Sequence, residues 1–548
     1  MSHRYVALSY VWGQLSGTIE LRRANYNHLF VRNSLKFSED RARIPRTIVD
    51  AITLTREMCL RYLWVDRVCI IQDEPTHLTR QLEQMASIYA NSYFTIIAAD
   101  GTDADYGLRG VASDTSPRTY EEPIFQFSKD FNMIMKPRLE RKDEAFWHTR
   151  AWTFQERAVS PRNLVFTQDT VYWQCRKTIW HENVMAEPDG IAPSRFGYSH
   201  HHLLGPPCYA LNTKAWPDIE QYFELVCGYN DRNLAFESDA LRAFSAVTTA
   251  MTKSFPGGFH FGLPVFLFDV AMLWVPRGFS SRRRSFPSWS WLGWTGEVKL
   301  HFGYAASWEL EFDYSRSDVE INPLVDWYAA REDGSSSSLI DDSYNRHKAV
   351  LLNPAFELPN GWTKKWNFDH KADAFEHDDL PNHSFKQPFP IFPAVREDQS
   401  HLFSQYLNFE VNSCTLLLGA THDFTALDPY DSLDVDLEDM AGSWAGVIQP
   451  MNVIGDEYKC GSPCQLVAIS QGTAMRNNAH ENDPAFTGVQ AFYEMDRVPV
   501  VAMLEKYCFY NVLLLEWIEG IAYRRATGRV IKDIWDQQNI KRISVVLG

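Results

Sequence analysis

Two side chains four residues apart, Trp152 and Glu156, form the pair in this chain that is best suited to chemistry. The stretch Phe146–Val159 is predicted to be a short helix, and residues i and i+4 share one face of a helix, so both side chains can line one wall of a pocket. A carboxylate there can stabilise an oxocarbenium-like transition state or activate water, as glycosidic cleavage requires. An aromatic wall can stack on a flat ring and remove water.

A structural interpretation of Glu156 stays open beside the chemical one. The side chain can be a surface glutamate of the helix that pairs with Arg150 or Arg157. Gln155, the preceding residue, can orient a polar ligand or cap a loop, and the sequence does not decide between these roles.

Further polar candidates follow the first two predicted strands. Ser9, Tyr10, Trp12 and Gly13 lie at or just past the end of the first strand. Ser9 or Tyr10 could donate a hydrogen bond to a ribose or phosphate, and Gly13 permits close approach of the backbone. Asp66 follows the second strand and could hold a ribose hydroxyl or cap the next turn. We expect these residues to border a ligand site.

The cysteines predict no metal centre and no disulfide framework. There are nine, an odd number, and they are scattered, which is typical of a reducing compartment. Cys460 and Cys464 are the only close pair, and zinc sites usually need a second pair of ligands. Cys69 could be a nucleophile, but the nearest histidine, His77, lies in a predicted loop, so we favour a buried structural thiol.

The sequence predicts the order β-α-β-α-β for the elements that position these side chains. Apolar runs predict strands over Val6–Tyr10, Tyr62–Val65 and Tyr93–Ala99. A helix opens at Pro45, and a second amphipathic stripe precedes the third strand. This alternation predicts a parallel sheet with right-handed crossovers, whose ligand site lies at the carboxyl ends of the strands. Two further strands, Asn163–Phe166 and Val171–Cys175, could form a hairpin or one edge of the sheet.

Charge and composition exclude several classes of function. The net charge of −16 argues against nucleic acid as a partner and against a polybasic role at a membrane surface. The longest apolar run, residues 263–275, contains Pro and Asp and is too short for a membrane span. The N-terminus runs straight into a strand, so we expect no signal peptide and a cytoplasmic protein. No GxGxxG or Walker motif is present, which disfavours a Rossmann dehydrogenase or a P-loop NTPase.

A chain of 548 residues is too long for one core, and we divide it into four segments. Residues 1–185 form the α/β domain, and residues 186–330 are helical followed by a Trp-rich strand, Ser288–Trp294. On that strand Trp289 and Trp291 share a face, either as an aromatic ligand platform or as packed core, which we favour. Residues 331–400 are predicted to be an irregular connector, and residues 401–548 a β-rich C-terminal region of mixed α+β character.

Four segments in order resemble the HET (heterokaryon incompatibility) domain of filamentous fungi: Tyr5–Gly13, Arg61–Gln72, Ile88–Ala99 and Arg150–Arg157. The resemblance is close over residues 5–175. The HET domain in turn is similar to TIR domains, which are flavodoxin-like α/β modules of innate immunity, so it implies a TIR-like parallel sheet.

Several TIR proteins cleave NAD⁺ at the nicotinamide glycosidic bond, with a catalytic glutamate four positions after a tryptophan. The resemblance therefore implies that Glu156 is the catalytic carboxylate and Trp152 the pocket wall, that the Ser9–Gly13 loop borders a nucleotide pocket, and that NAD⁺ is a substrate and not a prosthetic group.

The same resemblance implies a role in non-self recognition and programmed cell death, with self-association through the HET domain and an incompatibility partner that the sequence does not name. A rival hypothesis is a non-enzymatic module that signals death by binding other proteins, in which Trp152 and Glu156 are structural.

Overall fold

The computed structural model describes residues 3–36, 42–111, 117, 124–128, 131–134, 146–168, 170–176, 178–182, 211, 214–278, 280–300, 319–331, 337–340, 357–367, 372–386, 388–389, 403–423, 433–451, 458–475 and 506–548. The chain divides into two compact units. Unit 1 comprises Met1–Asn212 and Arg232–Val247, and unit 2 comprises Thr213–Asp231 and Thr248–Gly548.

Unit 1 alternates strands and helices through its first half. Its strands are β1 (Tyr5–Ser9), β2 (Tyr62–Trp64), β3 (Phe94–Ala98), β4 (Ile124–Ser128), β5 (Phe131–Ile134), β6 (Arg162–Phe166), β7 (Val171–Cys175) and β8 (Ile179–His181). Its helices are α1 (Tyr26–Leu29), α2 (Arg46–Glu57), α3 (Asp66–Cys69), α4 (Pro75–Ala90) and α5 (Ala151–Val159). A further helix, α7 (Ala240–Met251), begins in unit 1 and ends in unit 2.

Six of these strands form one sheet in the order β2-β1-β3-β6-β7-β8. The first four strands run parallel, and β7 and β8 continue the sheet antiparallel. The prediction of an α/β domain is therefore confirmed, but the sheet is mixed and only its first four strands are parallel. The predicted strands Asn163–Phe166 and Val171–Cys175, which are β6 and β7, form a hairpin within this sheet. The finer assignment to a TIR-like fold stays a prediction.

The sheet forms because its central strands are apolar on both faces. All five residues of β3 are buried. Val6 and Leu8 of β1 pack in one core cluster, whereas Ala7 between them packs with Met85 and Tyr89 of α4. Successive side chains of a strand point to opposite faces, so each strand needs a layer of structure on both sides.

Unit 2 consists mostly of strands. These are β9 (Phe259–His260), β10 (Leu263–Pro264), β11 (Val275–Arg277), β12 (Glu297–Lys299), β13 (Val319–Pro323), β14 (Tyr328–Arg331), β15 (Ser337–Leu339), β16 (Trp362–Asn367), β17 (Ala372–His377), β18 (Phe403–Asp423), β19 (Leu433–Glu438), β20 (Trp444–Pro450), β21 (Pro463–Met475), β22 (Lys506–Ile518), β23 (Ile521–Ile531) and β24 (Lys541–Leu547). Its helices are α6 (Ile219–Asn230), the end of α7, α8 (Phe268–Ala271) and α9 (Lys532–Asp536).

The main sheet of unit 2 has ten strands in the path β13-β21-β22-β23-β20-β19-β18-β14-β15, with β24 paired to β18 and β23. A further β18–β21 pairing returns the path from β18 to β21, so this part of the sheet closes on itself around an apolar cluster that includes Leu416, Leu466 and Val512. The β-rich C-terminal region is confirmed.

The segment Ser288–Trp294 corrects one prediction. It is not a strand: Trp291–Gly293 form a 3₁₀ turn, and the Ser290 side chain caps that turn by accepting from the Leu292 N–H. The alternation of Trp and Ser imitates a strand pattern, but the chain turns because Gly293 lies so close to the Pro287 carbonyl that a Cβ would be 2.3 Å from its oxygen. The core interpretation is confirmed, since Trp289 and Trp291 are buried.

Residues 331–400 are not uniformly irregular. β16 and β17 form an antiparallel hairpin within this interval, so the prediction is wrong there. The hairpin sequence appears polar because it carries exposed ion pairs, such as Lys364 with Asp373, while Trp362 and Ala374 are buried. Residues 341–356 and 390–402, like residues 186–210 at the start of the second predicted segment, lie outside the described residues.

Across the described residues, no helix combines the length and the apolar character that a bilayer crossing requires.

Candidate active site

The predicted site residues gather at the carboxyl end of β1. In the strand order β2-β1-β3-β6, the chain leaves β1 toward β2 on one side, whereas β3 lies on the other. Open α/β sheets bind ligands outside the carboxyl ends of the strands at such a switch point. Ser9 is the last residue of β1, and α5, which carries Glu156, leads into β6 two strands away.

A hydrogen-bonded chain connects Ser9 with Glu156. The Ser9 hydroxyl donates to Oε2 of Glu156, and it accepts a hydrogen bond from Nε1 of Trp147 at 2.8 Å. Ser9 and Trp147 are fully buried, and Glu156 is 7% exposed. The structure thus brings together two residues, 147 positions apart, that the sequence assigned to one site.

Burial raises the pKa of Glu156 to about 7, because the ionised carboxylate loses its water shell. The hydrogen bond from Ser9, the positive charge of Arg150 and the hydroxyl of Tyr89 oppose this rise in pKa, whereas the negative charge of Asp66 adds to it. A glutamate with such a pKa exchanges its proton near neutral pH, which is a common property of catalytic carboxyl groups.

Neither arginine near Glu156 forms the surface ion pair that the structural interpretation predicted. Arg157 is buried and donates from Nε and Nη2 to Oε1 of Gln174, at 3.1 and 2.9 Å. Arg150 donates from Nη1 to the Tyr10 carbonyl at 3.2 Å and acts on Glu156 only through its charge. The surface-glutamate interpretation is therefore wrong, because Glu156 points into the protein.

A second cluster surrounds Asp66 at the start of α3. Its Oδ2 accepts from Nε1 of Trp12 at 2.7 Å, and its Oδ1 accepts from the Arg67 backbone N–H at 2.7 Å. Burial raises the pKa of Asp66, and the Trp12 hydrogen bond is the largest effect that opposes it. The Arg67 guanidinium lies 4.4 Å above the Trp12 ring and donates to the Thr18 hydroxyl. Asp66 thus contacts the N–H of the next residue but is not the N-cap of α3, which is Val65 without a side-chain cap. Its role toward a ribose stays a prediction.

Another candidate carries a buried polar atom that lacks a partner among the described residues: Oε1 of Gln155. The Tyr10 hydroxyl is also buried, and it interacts with Asp66 and Arg67. Buried polar atoms without a partner are uncommon in folded proteins and require an explanation such as water or a ligand.

The backbone conformation and the packing at position 13 require a glycine. Its φ is +64°, and a Cβ would lie 2.2 Å from Cβ of Asp103, in the segment that follows β3. The close approach at Gly13 is therefore made by the chain itself.

The predicted pocket wall, Trp152, is half-buried in α5, and no ring contact or hydrogen bond joins it to Glu156 in the part of the chain that the structure describes. The tryptophan that reaches the site is Trp147, through Ser9.

The family comparison supports the segment that contains this site. Residues 5–156 match the model of the family described as "Heterokaryon incompatibility protein (HET)", and the match ends at Glu156. Residues 5–156 are a HET domain.

One curated relative is "Heterokaryon incompatibility protein 6, OR allele" of Neurospora crassa. It is 28% identical over 107 residues, which cover 17% of this chain and 14% of the relative. The chain therefore matches only a small part of that relative's length. No solved structure matches the chain.

Two residues that were not predicted, Tyr89 and Trp147, contribute to the site, and Arg150, which was predicted only as an ion-pair partner of Glu156, acts on both carboxylates. Arg150, at the start of α5, lowers the pKa of both Glu156 and Asp66 by its charge. Tyr89 faces Glu156 from α4, and Trp147 reaches Ser9 from the turn before α5. The sequence carried a weak signal for Arg150, which opens the fourth family-like segment, and none for Tyr89, which fits an ordinary amphipathic stripe.

Cys69 shows no dyad with His77. Its Sγ accepts from the Val65 backbone N–H at 3.4 Å, and Nδ1 of His77 accepts from the Ile71 backbone N–H at 3.3 Å. The Cys69 residue as a whole is exposed, but burial raises the pKa of its thiol, as expected for the buried thiol that we favoured. Within the described residues, no group of three or more His, Cys, Asp or Glu side chains is placed to hold a metal ion.

Proposed function

We propose that this protein acts in heterokaryon incompatibility in the cytoplasm of a fungus, in non-self recognition that leads to programmed cell death. The support is the HET domain over residues 5–156 and the relative whose name carries the same role. We further propose that the HET domain hydrolyses the nicotinamide glycosidic bond of NAD⁺, and that it self-associates when active.

The observation that supports the enzymatic proposal is the environment of the Glu156 carboxyl group. Its carboxyl group is buried at the carboxyl edge of a parallel sheet, is held by a serine hydroxyl, and forms no ion pair with a basic side chain among the described residues. Burial of an acidic group is unfavourable, so a protein keeps one mostly where it serves a function or is compensated.

The chemistry requires a single carboxylate of this kind. Cleavage of the C–N bond sends its electron pair to nicotinamide, which leaves as a neutral base, and it leaves an oxocarbenium-like ribose that the Glu156 carboxylate stabilises. Water then adds to the ribose carbon and loses its proton to Glu156 or to solvent, giving ADP-ribose. Ser9, Tyr10, Trp12, Gly13 and Asp66 would border the nucleotide, with Trp152 and Gln155 on α5.

A second candidate function is a non-enzymatic interaction module. It is supported by the hydrogen bonds that the carboxyl groups of Asp66 and Glu156 already accept from the protein. Both oxygens of Asp66 already accept hydrogen bonds from the protein, and one oxygen of Glu156 accepts from Ser9. In that function the cluster only stabilises the HET domain, and an exposed surface of the domain contacts the partner.

NAD⁺ consumption by the full chain separates the two functions. The assay compares wild type with Glu156→Gln, and with Glu83→Gln as a matched control at an exposed position of α4. It is run over a dilution series with light scattering at each concentration. We expect nicotinamide release by wild type and Glu83→Gln, loss of it in folded Glu156→Gln, and higher specific activity in the assembled protein.

Absence of turnover in wild type, with assembly seen by light scattering, would favour the interaction module. Equal turnover in wild type and Glu156→Gln would remove Glu156 from the mechanism. Activity without any concentration dependence, from a protein that stays monomeric, would contradict self-association.

A further inference from the structure

Ser9 accepts one side-chain hydrogen bond and donates another, and the chemistry of the indole fixes the direction of the first. An indole N–H can only donate, so the Ser9 oxygen must accept from Trp147. A serine hydroxyl has one proton, and the Ser9 hydroxyl directs it to Oε2 of Glu156. Because Ser9 and Trp147 are fully buried, neither can exchange its partner for water.

We infer that Ser9 is a positioning residue that, with Trp147 as its fixed donor, directs its only proton to Glu156 and favours the ionised form of that carboxyl group. The consequence for catalysis rests on the proposed function, since an oxocarbenium-like ribose is stabilised by the ionised form of Glu156 and not by the neutral one.

The other hydroxyl at Glu156 cannot replace Ser9. Tyr89 donates to the Leu8 carbonyl at 3.1 Å, and a carbonyl can only accept. The single proton of Tyr89 is therefore directed to Leu8. Ser9 and Tyr89 both favour the ionised form of Glu156, but among the described residues only the Ser9 hydroxyl has the Glu156 carboxylate as the acceptor of its proton.

Two charged groups and the burial of the carboxyl group also act on Glu156. Arg150, just before α5, favours the ionised carboxylate, and Asp66 on α3 disfavours it. Burial against β1 and α4 disfavours it most strongly. Ser9 thus offsets part of the burial effect, and its loss should leave Glu156 neutral over a wider pH range.

Titration of Glu156 in the full chain, without NAD⁺, tests this inference. Infrared spectroscopy follows the band of the protonated carboxyl group, which is assigned to Glu156 by its loss in Glu156→Gln. In Ser9→Ala we expect the midpoint to rise by about 1 to 2 pH units, the amount expected for loss of a hydrogen bond to a charged group. Ser9→Thr, which keeps the hydroxyl, should retain the wild-type midpoint.

Ser160→Ala is the matched control. Ser160 is also buried, and its hydroxyl donates to Glu156 at 2.7 Å, but to the backbone carbonyl and not to the carboxylate. We expect no change of midpoint in this variant. An unchanged midpoint in Ser9→Ala, or equal shifts in Ser9→Ala and Ser160→Ala, would overturn the inference.

Trp147→Phe gives a second test if Ser9→Ala does not fold. Without the indole donor, the Ser9 hydroxyl is free to rotate, so we expect a smaller rise of the midpoint in the same direction. A midpoint unchanged from wild type would overturn the inference.

Failure of the inference and failure of the proposed function are distinguishable. A shifted titration in a protein that never consumes NAD⁺ leaves the role of Ser9 intact and removes the NAD⁺ hydrolase. Turnover that needs Glu156, together with an unshifted titration and pH–rate profile in Ser9→Ala, removes the role of Ser9 alone.

Discussion

Burial and hydrogen bonding act on Glu156 in opposite directions, and the burial effect is larger. The pKa of Glu156 is raised from 4.5 to about 7 although Ser9, Arg150 and Tyr89 all favour the ionised form. The folded state therefore holds the proton of Glu156 more tightly than the unfolded chain does. Below pH 4.5 both states carry this proton, and between about pH 4.5 and 7 only the folded state does, so stability falls as pH rises through this window.

Glu156→Gln should remove that loss of stability, because the amide is neutral at every pH. We expect wild type and Glu156→Gln to have similar unfolding free energies at pH 4.5, and the variant to be more stable at pH 8 by up to about 3 kcal/mol. Urea unfolding at several pH values measures the difference. A difference that stays constant with pH would contradict the assigned pKa of Glu156.

At the scale of elements, the site is held by loops that pack on one another beyond the strand ends. The loop after β1 contacts the loop after β3 through Gly13, whose left-handed backbone and missing side chain allow Asp103 to approach. The same loop carries Trp12, which fixes the carboxylate of Asp66 beyond β2. A change at Gly13 therefore affects both the geometry of this edge and its stability.

Gly13→Ala should destabilise unit 1 by about 2 to 4 kcal/mol, since a left-handed backbone is unfavourable for alanine and the new Cβ overlaps Asp103. Gly17→Ala is the matched control: its φ is +74°, but a Cβ there meets nothing within 4 Å. We expect it to lose only the backbone contribution, about 1 kcal/mol. Chemical unfolding of both variants checks the contrast, and equal losses would show that the overlap is relieved at no cost.

On the scale of the whole molecule, the second unit contains a buried cation that connects distant segments of the chain. Arg524 of β23 is fully buried, donates to the carbonyls of Met272 and Trp274, and lies 4.3 Å from the centre of the Trp274 ring. Burial lowers its pKa. Among the described residues no carboxylate pairs with it, so backbone carbonyls and an aromatic face stabilise the charge.

Arg524→Ala should destabilise unit 2 by about 3 to 5 kcal/mol, because it leaves two buried carbonyls without a donor and creates a cavity. The neighbouring Arg525→Ala is the control. Arg525 contacts Glu516 at 3.5 Å, with Arg525 half-buried and Glu516 exposed, and such a pair contributes at most about 1 kcal/mol. Thermal and urea unfolding compare the variants, and a loss at Arg524 no larger than that at Arg525 would contradict the role given to the buried cation.

The sequence by itself determined the elements of the HET domain and their order. The apolar runs at β1 and β3 fix strands, because a continuous buried run has few alternatives, whereas the short run at β2 is only partly buried. The helix start at Pro45 was predicted within one residue, since Pro45 is the N-cap of α2. The β-rich character of the last third also followed from its pattern.

Tertiary structure alone decided which side chains meet. Ser9 and Glu156 are 147 residues apart, and no local pattern states that their atoms touch. Trp147 reaches the site in place of Trp152, because the helix begins only at Ala151 and the turn before it points the indole at Ser9. At Ser288–Trp294 a period of two occurs in a turn, because Gly293 packs on Pro287. Periodicity reports which side of an element is buried, whereas contacts between distant segments depend on how the elements pack, and packing is a property of the folded chain.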